Sequence, residues 1–578
     1  MHMRSKCLRL PIHRSINISG VGVALFGAVA GIWSAPVHAG GPVYPQPQAK
    51  MGAPIQGLTA AQLIRFNNGR LDYDHTFVDL EGLGPCFNKA SCSNCHNNPV
   101  GGPGSQTVTR FGLADKSGFD PLAYLGGSLL QELAISPSCL EVVPPEANVI
   151  AHRVTNGAQG YGLIEAIADA DLLANRDAQP LALRGVAHMV SAFEDLGPNP
   201  PLRVGRFGWK AQVATILTFS ADASLNEIGL TNRFVLTENA PNGNAALLAQ
   251  CDARPDPEDH PDANGLHFID RVTDFQRFLT QPPQTPRSGM SGETIFNSIG
   301  CNVCHTPQFT TANTGGLERA LRGRVIRPYS DFLLHNMGIN ADFIVQGAGT
   351  EFLLKTPPLW GVRKRDPMWH DGRVAAGTLA SRLNAAIALH NGGGAAQGGA
   401  SAIAYAALTQ SDKDKVIAFL DSLGKLEFDS DGDEDVDIFD FNALKACWGG
   451  GPYNADHACA VHDVDQDGDL DSIDAGSFLI ASGMPRRDCN SNGVVDLLDI
   501  LAGAIDANAN GLLDSCEPTC AADVDGSHGA DVNDLLAVIS GWGNCPDVPS
   551  PCQGDVNGTQ VVDVNDLLAV ITAWGPCP

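Results

Sequence analysis

The pentapeptide C-x-x-C-H occurs twice, at Cys92–His96 and at Cys301–His305. Two thiols three residues apart on one short turn can add to the two vinyl groups of a haem while the adjacent imidazole takes the iron. A zinc knuckle would want a second C-x-x-C or a histidine pair close by, and a dithiol redox motif would sit in a βαβ pattern. Neither context accompanies either copy. The expectation is two covalently held haem c groups, on Cys92 and Cys95 with His96, and on Cys301 and Cys304 with His305. Gly292 and Phe296, just before the second copy, share one helix face where a second helix can approach closely. Lys413 to Leu423, with Val416, Phe419 and Leu420 on one stripe, is the candidate for that crossing.

Export fits this chemistry. Arg4, Lys6, Arg9 and Arg14 precede an apolar run from Gly20 to Trp33 and then Val37-His38-Ala39, the order of a secretory signal cleaved after Ala39. The run is shorter than the ~20 residues a membrane span needs, so no membrane span is expected in the mature chain. Its destination reads as periplasmic, extracellular or cell-surface. Charge then locates a boundary: from Phe428 onward 28 acidic residues face three basic ones, which leaves a net charge near −2 for the rest of a chain at −27. So acidic a tail excludes nucleic acid as a partner. The expected division is 1–39 signal, 40–57 linker, 58–285 first haem domain, 286–427 second haem domain and 428–578 tail.

Three separated stretches, Leu58–Phe66 (LTAAQLIRF), the GLGPCFN run at 82–88 and Gly162–Ile167 (GLIEAI), resemble the di-haem oxidoreductase, putative peroxidase family, also called thiol oxidoreductases. That family is related to the bacterial di-haem cytochrome c peroxidases, and the likeness runs from about Leu58 to Lys425. The Gly292 and Lys413–Leu423 helices resemble the terminal helix pair of class I cytochrome c domains. The resemblance implies roles for the segment from Gly205 to Gly229: Trp209 as a tryptophan between the two haems, and Glu227 as an acid over a peroxide-binding iron, moving a proton between the peroxide oxygens. The family's further distal glutamine has no clean match; Phe219 or Gln212 stands nearest. Where the family ends on a methionine ligand this chain has His390, with His335 and Met337 as alternatives. For the first iron the stretch after the motif is GGPGSQT, which leaves an open iron or ligation by a distant residue, with His152 considered. Of Cys86, Cys139 and Cys251, two are expected to pair in an exported protein, the pairing being unreadable from sequence. Cys86, six residues before Cys92, reads first as a structural thiol, with a reactive thiol near the haem edge as the alternative.

The tail carries a calcium-loop frame with oxygen donors at positions 1, 3, 5, 7, 9 and 12 and glycine at 6. Its best copy is Asp463, Asp465, Asp467, Asp469 and Asp474. The frame recurs with Asp429, Asp431, Asp433 and Asp440; with Asp488, Asn490, Asn492 and Asp499; with Asp506, Asn508, Asn510 and Glu517; with Asp523, Asp525 and Asp534; and with Asp555, Asn557 and Asp566. The last two copies repeat DVNDLLAVI at a period of 32. These repeats resemble dockerin type I modules, which implies Ca2+ and a cohesin-like or cell-surface partner. Eight cysteines from Cys447 to Cys577 are expected to staple them.

The sequence therefore reads as a mainly α chain: two cytochrome c-like haem domains, then small EF-hand- or dockerin-like repeats. The functional expectation is an exported oxidoreductase taking electrons from a small donor protein through the second haem to the first, reducing peroxide or a related oxidant. The alternatives are an electron-transfer cytochrome with both irons six-coordinate, and an oxidase of a thiol or protein partner.

Overall fold

The computed structural model describes residues 44–516, 520–527, 529–545, 552 and 554–577. The signal sequence, the start of the linker and Glu517 lie outside the described residues.

Two helix crossings organise the larger part of the chain, and both are made by a glycine. The helix Ala60–Asp74 starts at Thr59, which forms a reciprocal capping box with Gln62. It crosses the helix Phe268–Phe278 at Gly69, where a Cβ would lie 2.1 Å from the Arg271 carbonyl oxygen. Phe66 and Phe275 pack beside that contact with ring centres 5.2 Å apart, and Arg271 pairs with Asp72 across it. The helix Ser291–Ser298 crosses Gln410–Ser422 in the same way at Gly292, where a Cβ would lie 2.0 Å from the Lys415 carbonyl oxygen. Phe296 and Phe419 lie 5.4 Å apart there. Only a residue without a side chain admits such contacts.

Between the crossings lie short antiparallel strands. Thr107–Asp115 pairs with Gly118–Asp120 on one side and Val149–Val154 on the other, with Arg110 opposite Ala151. Leu334–Asn336 pairs with Leu353–Lys355, His335 facing Leu354. Helix covers 35% of the described residues and strand 11%, so the sheet elements are minor but sit beside both C-x-x-C-H motifs.

The expected boundary between 285 and 286 does not divide the core. Phe309, Leu321, Ile326, Phe332 and Trp360 pack in the same buried cluster as Phe66, Phe207, Phe275 and Phe278. Polar contacts tie the halves as well: Gln179 donates to Asp331 at 2.7 Å and to the Val303 carbonyl at 2.8 Å. The sequence pattern sees each helix pair, whereas the apolar faces that join them come from long connections with no periodicity.

In the tail, the helices Ile438–Cys447, Ser472–Ala481, Val532–Ser540 and Val564–Thr572 are capped by Asp437, Asp471, Asp531 and Asp563, each in a capping box closed by the aspartate three residues on. The loop thus hands its last carboxylate directly to the first turn of a helix. One core gathers residues from Phe428 to Leu513 and a second those from Ala522 to Val570. Cys447–Cys459, Cys489–Cys516, Cys520–Cys577 and Cys545–Cys552 are disulfides.

Candidate functional site

Cys301, Cys304, His305, His335, Met337, Trp209, His370 and His390 line one largely apolar cleft. His305 is turned by its Nδ1, which donates to the Tyr329 carbonyl at 2.9 Å; His390, at the end of the helix Leu379–Leu389, is turned by Nδ1 donating to the Ala386 carbonyl at 2.9 Å. Both Nε2 atoms are thereby left for the cleft. The two ring centres stand 6.3 Å apart. Two metal–imidazole bonds of about 2.0–2.1 Å, with about 1.1 Å from each nitrogen to its ring centre, add to about 6.3 Å when collinear. Burial pushes His305 down to about 4 and His390 downward too, which keeps both rings neutral as metal ligands must be.

The alternatives to His390 are placed differently. Nε2 of His335 contacts Asp331 at 2.8 Å and its Nδ1 lies 3.5 Å from the Cys304 sulfur. The buried Asp331 carboxylate outweighs burial and lifts this ring to about 10, so both its nitrogens are engaged. Met337 lines the cleft wall. Lys355 and Arg365 also line it, and among the described residues neither forms an ion pair. Burial, aided by Arg365, pushes Lys355 down to about 7. Two basic side chains in no ion pair at the wall of an apolar cleft fit a flat apolar group with an acidic edge, as haem has.

The first motif is built on a short turn, Cys92–Asn94, held by Ser91, whose hydroxyl accepts from the Asn94 amide. His96 is pushed down to about 4 by burial, its Nδ1 is buried with no hydrogen-bond partner, and Tyr73 packs edge-on to it at 6.0 Å. All four C-x-x-C-H thiols are free, while Cys139–Cys251 and the tail cysteines pair; Cys86 is the other free thiol among the described residues. Cys86 is fully buried, its Sγ meets the Cys139 carbonyl, and burial lifts it to about 12. That makes it an inert core thiol, not a reactive one.

Glu227 is brought to the first motif. It lies in a π-helical turn, Ser224–Ile228, its backbone carbonyl accepts from the amides of Asn88 and Lys89, and its carboxylate accepts from the Asn88 side chain at 2.8 Å. Burial raises its pKa, against the pull of Asn88 and of Arg110, and its charge reaches the Cys95 thiol. Arg110 is the residue that sequence reasoning missed. It is brought down to about 10 by burial and by Arg153, is stabilised by Glu227 and Asp222, and its Nε has no partner. A lone arginine in a nine-residue strand carries no signal of its own. Neither glutamine candidate joins this group: Gln212 accepts from the Lys210 amide, and Phe219 packs on Tyr161 and Phe207. His152 is exposed and its Nδ1 meets the Thr109 hydroxyl.

Trp209 joins the two regions. Its ring lines the cleft of the second motif, 6.2 Å from His370. Its indole N–H donates to the Val154 carbonyl at 3.0 Å, on the strand paired with the one that carries Arg110.

In the tail, Asp429, Asp431 and Asp440 bring carboxylate oxygens within 4.8 Å of one another. Asp474 is fully buried, accepts from the Val464 amide, and is pushed up to about 7 by burial and then by Asp465 and Asp463. Asp463 Oδ1 is buried without a partner. Asp534 and Asp566 accept from their loops in the same way, Asp523 and Asp525 flank the former, and Asp555 and Asn557 the latter. Two loops differ from the expected frame. In the Asp488 loop the second-position amide, of Cys489, goes to Asp496, while Asp499 meets Asn490 and Asn492. In the Asp506 loop the amide of Ala507 goes to Asp514. The helix Asp496–Leu501 begins earlier in its loop than Ser472–Ala481 does, so the carboxylate in its first turn is a different one.

Residues 146–423 match the family described as di-haem oxidoreductase, putative peroxidase, and residues 427–478 match the dockerin type I domain. This is a di-haem oxidoreductase region joined to a dockerin. The di-haem oxidoreductase match includes Trp209, Glu227, Cys301–His305 and His390 and begins after Cys92–His96; the dockerin match takes in the loops at Asp429 and Asp463. No curated protein matches the chain. A solved structure titled as a MauG-like protein associated with microbial copper homeostasis is 15% identical and covers 68% of this chain and 95% of its own, with a TM-score of 0.29. No helix among the described residues is long and apolar enough to cross a membrane.

Proposed function

We propose that the chain is an exported di-haem c-type oxidoreductase that reduces peroxide or a related oxidant at the Cys92–His96 site, with electrons from a small donor protein entering at the Cys301–His305 site. The observation that carries this reading is the half-buried Glu227 carboxyl, held by Asn88 beside the first motif, with Arg110 within electrostatic reach. The haems would supply the redox iron, held by Cys92, Cys95 and His96 in one site and by Cys301, Cys304, His305 and His390 in the other. Glu227, whose burial favours the protonated form, is positioned to pass a proton to a reduced oxygen, and Asn88 fixes the direction in which it points. Arg110 stabilises negative charge that develops there. His390 closes the second site to substrate, which suits it to relay electrons. Trp209, in the wall of the second site and bonded to Val154 on the strand beside Arg110's, would carry electrons between the sites.

The test is Glu227→Gln in the holo-protein. Peroxide turnover is expected to fall about 10²–10⁴-fold, the usual worth of a positioned acid-base group, with haem content and the low-spin signal unchanged. Trp209→Phe is expected to slow oxidation of the second haem by the first while leaving cyanide binding intact. An electron-transfer cytochrome would instead show two low-spin haems indifferent to cyanide and peroxide, and Glu227→Gln would change nothing.

The tail reads as the docking device, binding Ca2+ through its aspartate loops and a cohesin-like or cell-surface partner through its helices. Val532, Leu536, Ile539 and Trp542 are 53, 53, 50 and 53% exposed, and their repeat counterparts Val564, Leu568, Ile571 and Trp574 are 53, 53, 49 and 54% exposed. Two matching apolar stripes left in water are what a partner would cover. Exposure outside the cell is consistent with the five disulfides among the described residues.

A further inference from the structure

Away from both C-x-x-C-H motifs and from the tail, Glu238, Asp256 and Glu258 bring carboxylate oxygens within 4.8 Å of one another. Glu238 forms the floor: it is 6% exposed and neither of its carboxylate oxygens has a hydrogen-bond partner. Asp256 forms a solvent-exposed rim and Glu258 the half-buried wall. Thr231 orients the wall, its amide donating to Glu258 at 3.0 Å and its hydroxyl meeting both Glu258 and Asp256. Among the described residues no cation balances this charge. The nearest arginines in sequence are engaged elsewhere, Arg233 with Asp270 and Arg254 with Asp79, and none of the three acids is in an ion pair. A buried carboxylate with no donor and no counter-ion is expensive, and the neighbouring acids, Asp252 included, add to burial in driving Glu238 up to about 9.

We infer that Glu238, Asp256 and Glu258 form a binding site for one calcium ion, separate from the tail loops. Three carboxylates with no nitrogen or sulfur donor select a hard cation. Their placement on irregular backbone, with the rim open to water, suits the loose six-to-eight-oxygen shell of Ca2+ better than the strict octahedron of Mg2+. The bound ion would tie the Thr231 turn, which follows the π-helical turn bearing Glu227, to the 252–258 segment. The next residue, Asp259, caps the helix Phe268–Phe278 through the amides of Phe268 and Ile269. Calcium here would brace the first motif's surroundings from behind.

The experiment compares the full-length holo-protein with Glu238→Gln/Glu258→Gln, both stripped with EDTA and dialysed to equilibrium against Ca2+, with bound calcium counted per chain by mass spectrometry. The haem spectrum serves as the folding control. The double variant is expected to hold one calcium fewer. Where it fails to fold, Asp256→Asn at the exposed rim must weaken one calcium site at least tenfold. An unchanged count with wild-type affinity in Asp256→Asn would overturn the site and leave Glu238 as a buried neutral acid. Equal retention of Mg2+ by the wild type at that one position would overturn the choice of calcium.

Discussion

Replacing His390 by alanine is the sharpest test of how the second cleft is built. The 6.3 Å between the His305 and His390 ring centres matches one linear imidazole–metal–imidazole unit, so a haem iron held in that cleft as proposed would carry two imidazole donors and be low-spin. Removing His390 forfeits its hydrogen bond to Ala386, worth about 0.5–1.5 kcal/mol. It also forfeits the edge contact with Trp369 at 5.2 Å, worth about 0.5–1.5 kcal/mol. A loss of about 1–3 kcal/mol from these two terms should leave the domain folded, because in the proposed site Cys301 and Cys304 would still hold the haem. The expected result is conversion of one haem of two from low- to high-spin in the absorption and EPR spectra, with a higher midpoint potential because ferric iron loses a nitrogen donor. Added imidazole, which fits the space vacated by the ring, should restore the low-spin signal. His335→Ala should leave the spin state unchanged, since that ring is committed to Asp331. A low-spin signal that survives His390→Ala, or one that His335→Ala removes, would refute the assignment.

Three further outcomes follow from the same geometry. Gly292→Ala places a methyl group 2.0 Å from the Lys415 carbonyl oxygen, a backbone atom that cannot yield cheaply, so unfolding by denaturant should show a loss of about 1–3 kcal/mol. Lys210 is fully buried, pairs with Asp342 at 2.7 Å and donates to the carbonyls of Thr350 and Leu353; Lys210→Met should cost about 3 kcal/mol, the low end for a broken buried pair, because Arg153 still holds Asp342. In the tail, the folded Asp474 carboxyl titrates near 7 against an ordinary 3.8, so without calcium the loop is most stable protonated and loses stability as pH rises from about 4 through about 7. The same proton competes with the metal, and calorimetry should find calcium binding at this loop about tenfold weaker at pH 6 than at pH 8.

The features legible in the sequence are those whose parts lie close together along the chain. The C-x-x-C-H turns, the glycine and phenylalanine of the Ser291–Ser298 helix, and the aspartate frame of the tail are each settled within a dozen residues, where spacing and geometry are nearly the same statement. His390 is one of three candidate partners for His305 by sequence, because nothing local tells an imidazole turned by Ala386 from one consumed by Asp331. Arg110 and the group of Glu238, Asp256 and Glu258 are invisible there for the same reason: each residue is ordinary where it stands in the chain, and only folding makes it a neighbour of a buried charge.

The two divergent tail loops show where even a local frame falls short. Asp496 and Asp499 both stand at positions a calcium loop can use, and the choice between them depends on where the following helix begins. In the Asp463 loop, Asp471 caps the helix and its capping-box partner Asp474 turns back to the Val464 amide. In the Asp488 loop, Val495 takes the cap position without a side-chain bond, the helix starts at Asp496, and that residue turns back instead, with its Oδ2 buried and unpartnered. A loop closed sooner has fewer backbone carbonyls to offer and leaves Asp499 bonded to the side chains of Asn490 and Asn492 instead of to a loop amide. Asp496→Asn should therefore remove calcium from this loop at concentrations where Asp499→Asn retains it. The opposite order, read by calcium titration of the two variants, would mean that the bound metal pulls the helix start back into the twelve-residue frame.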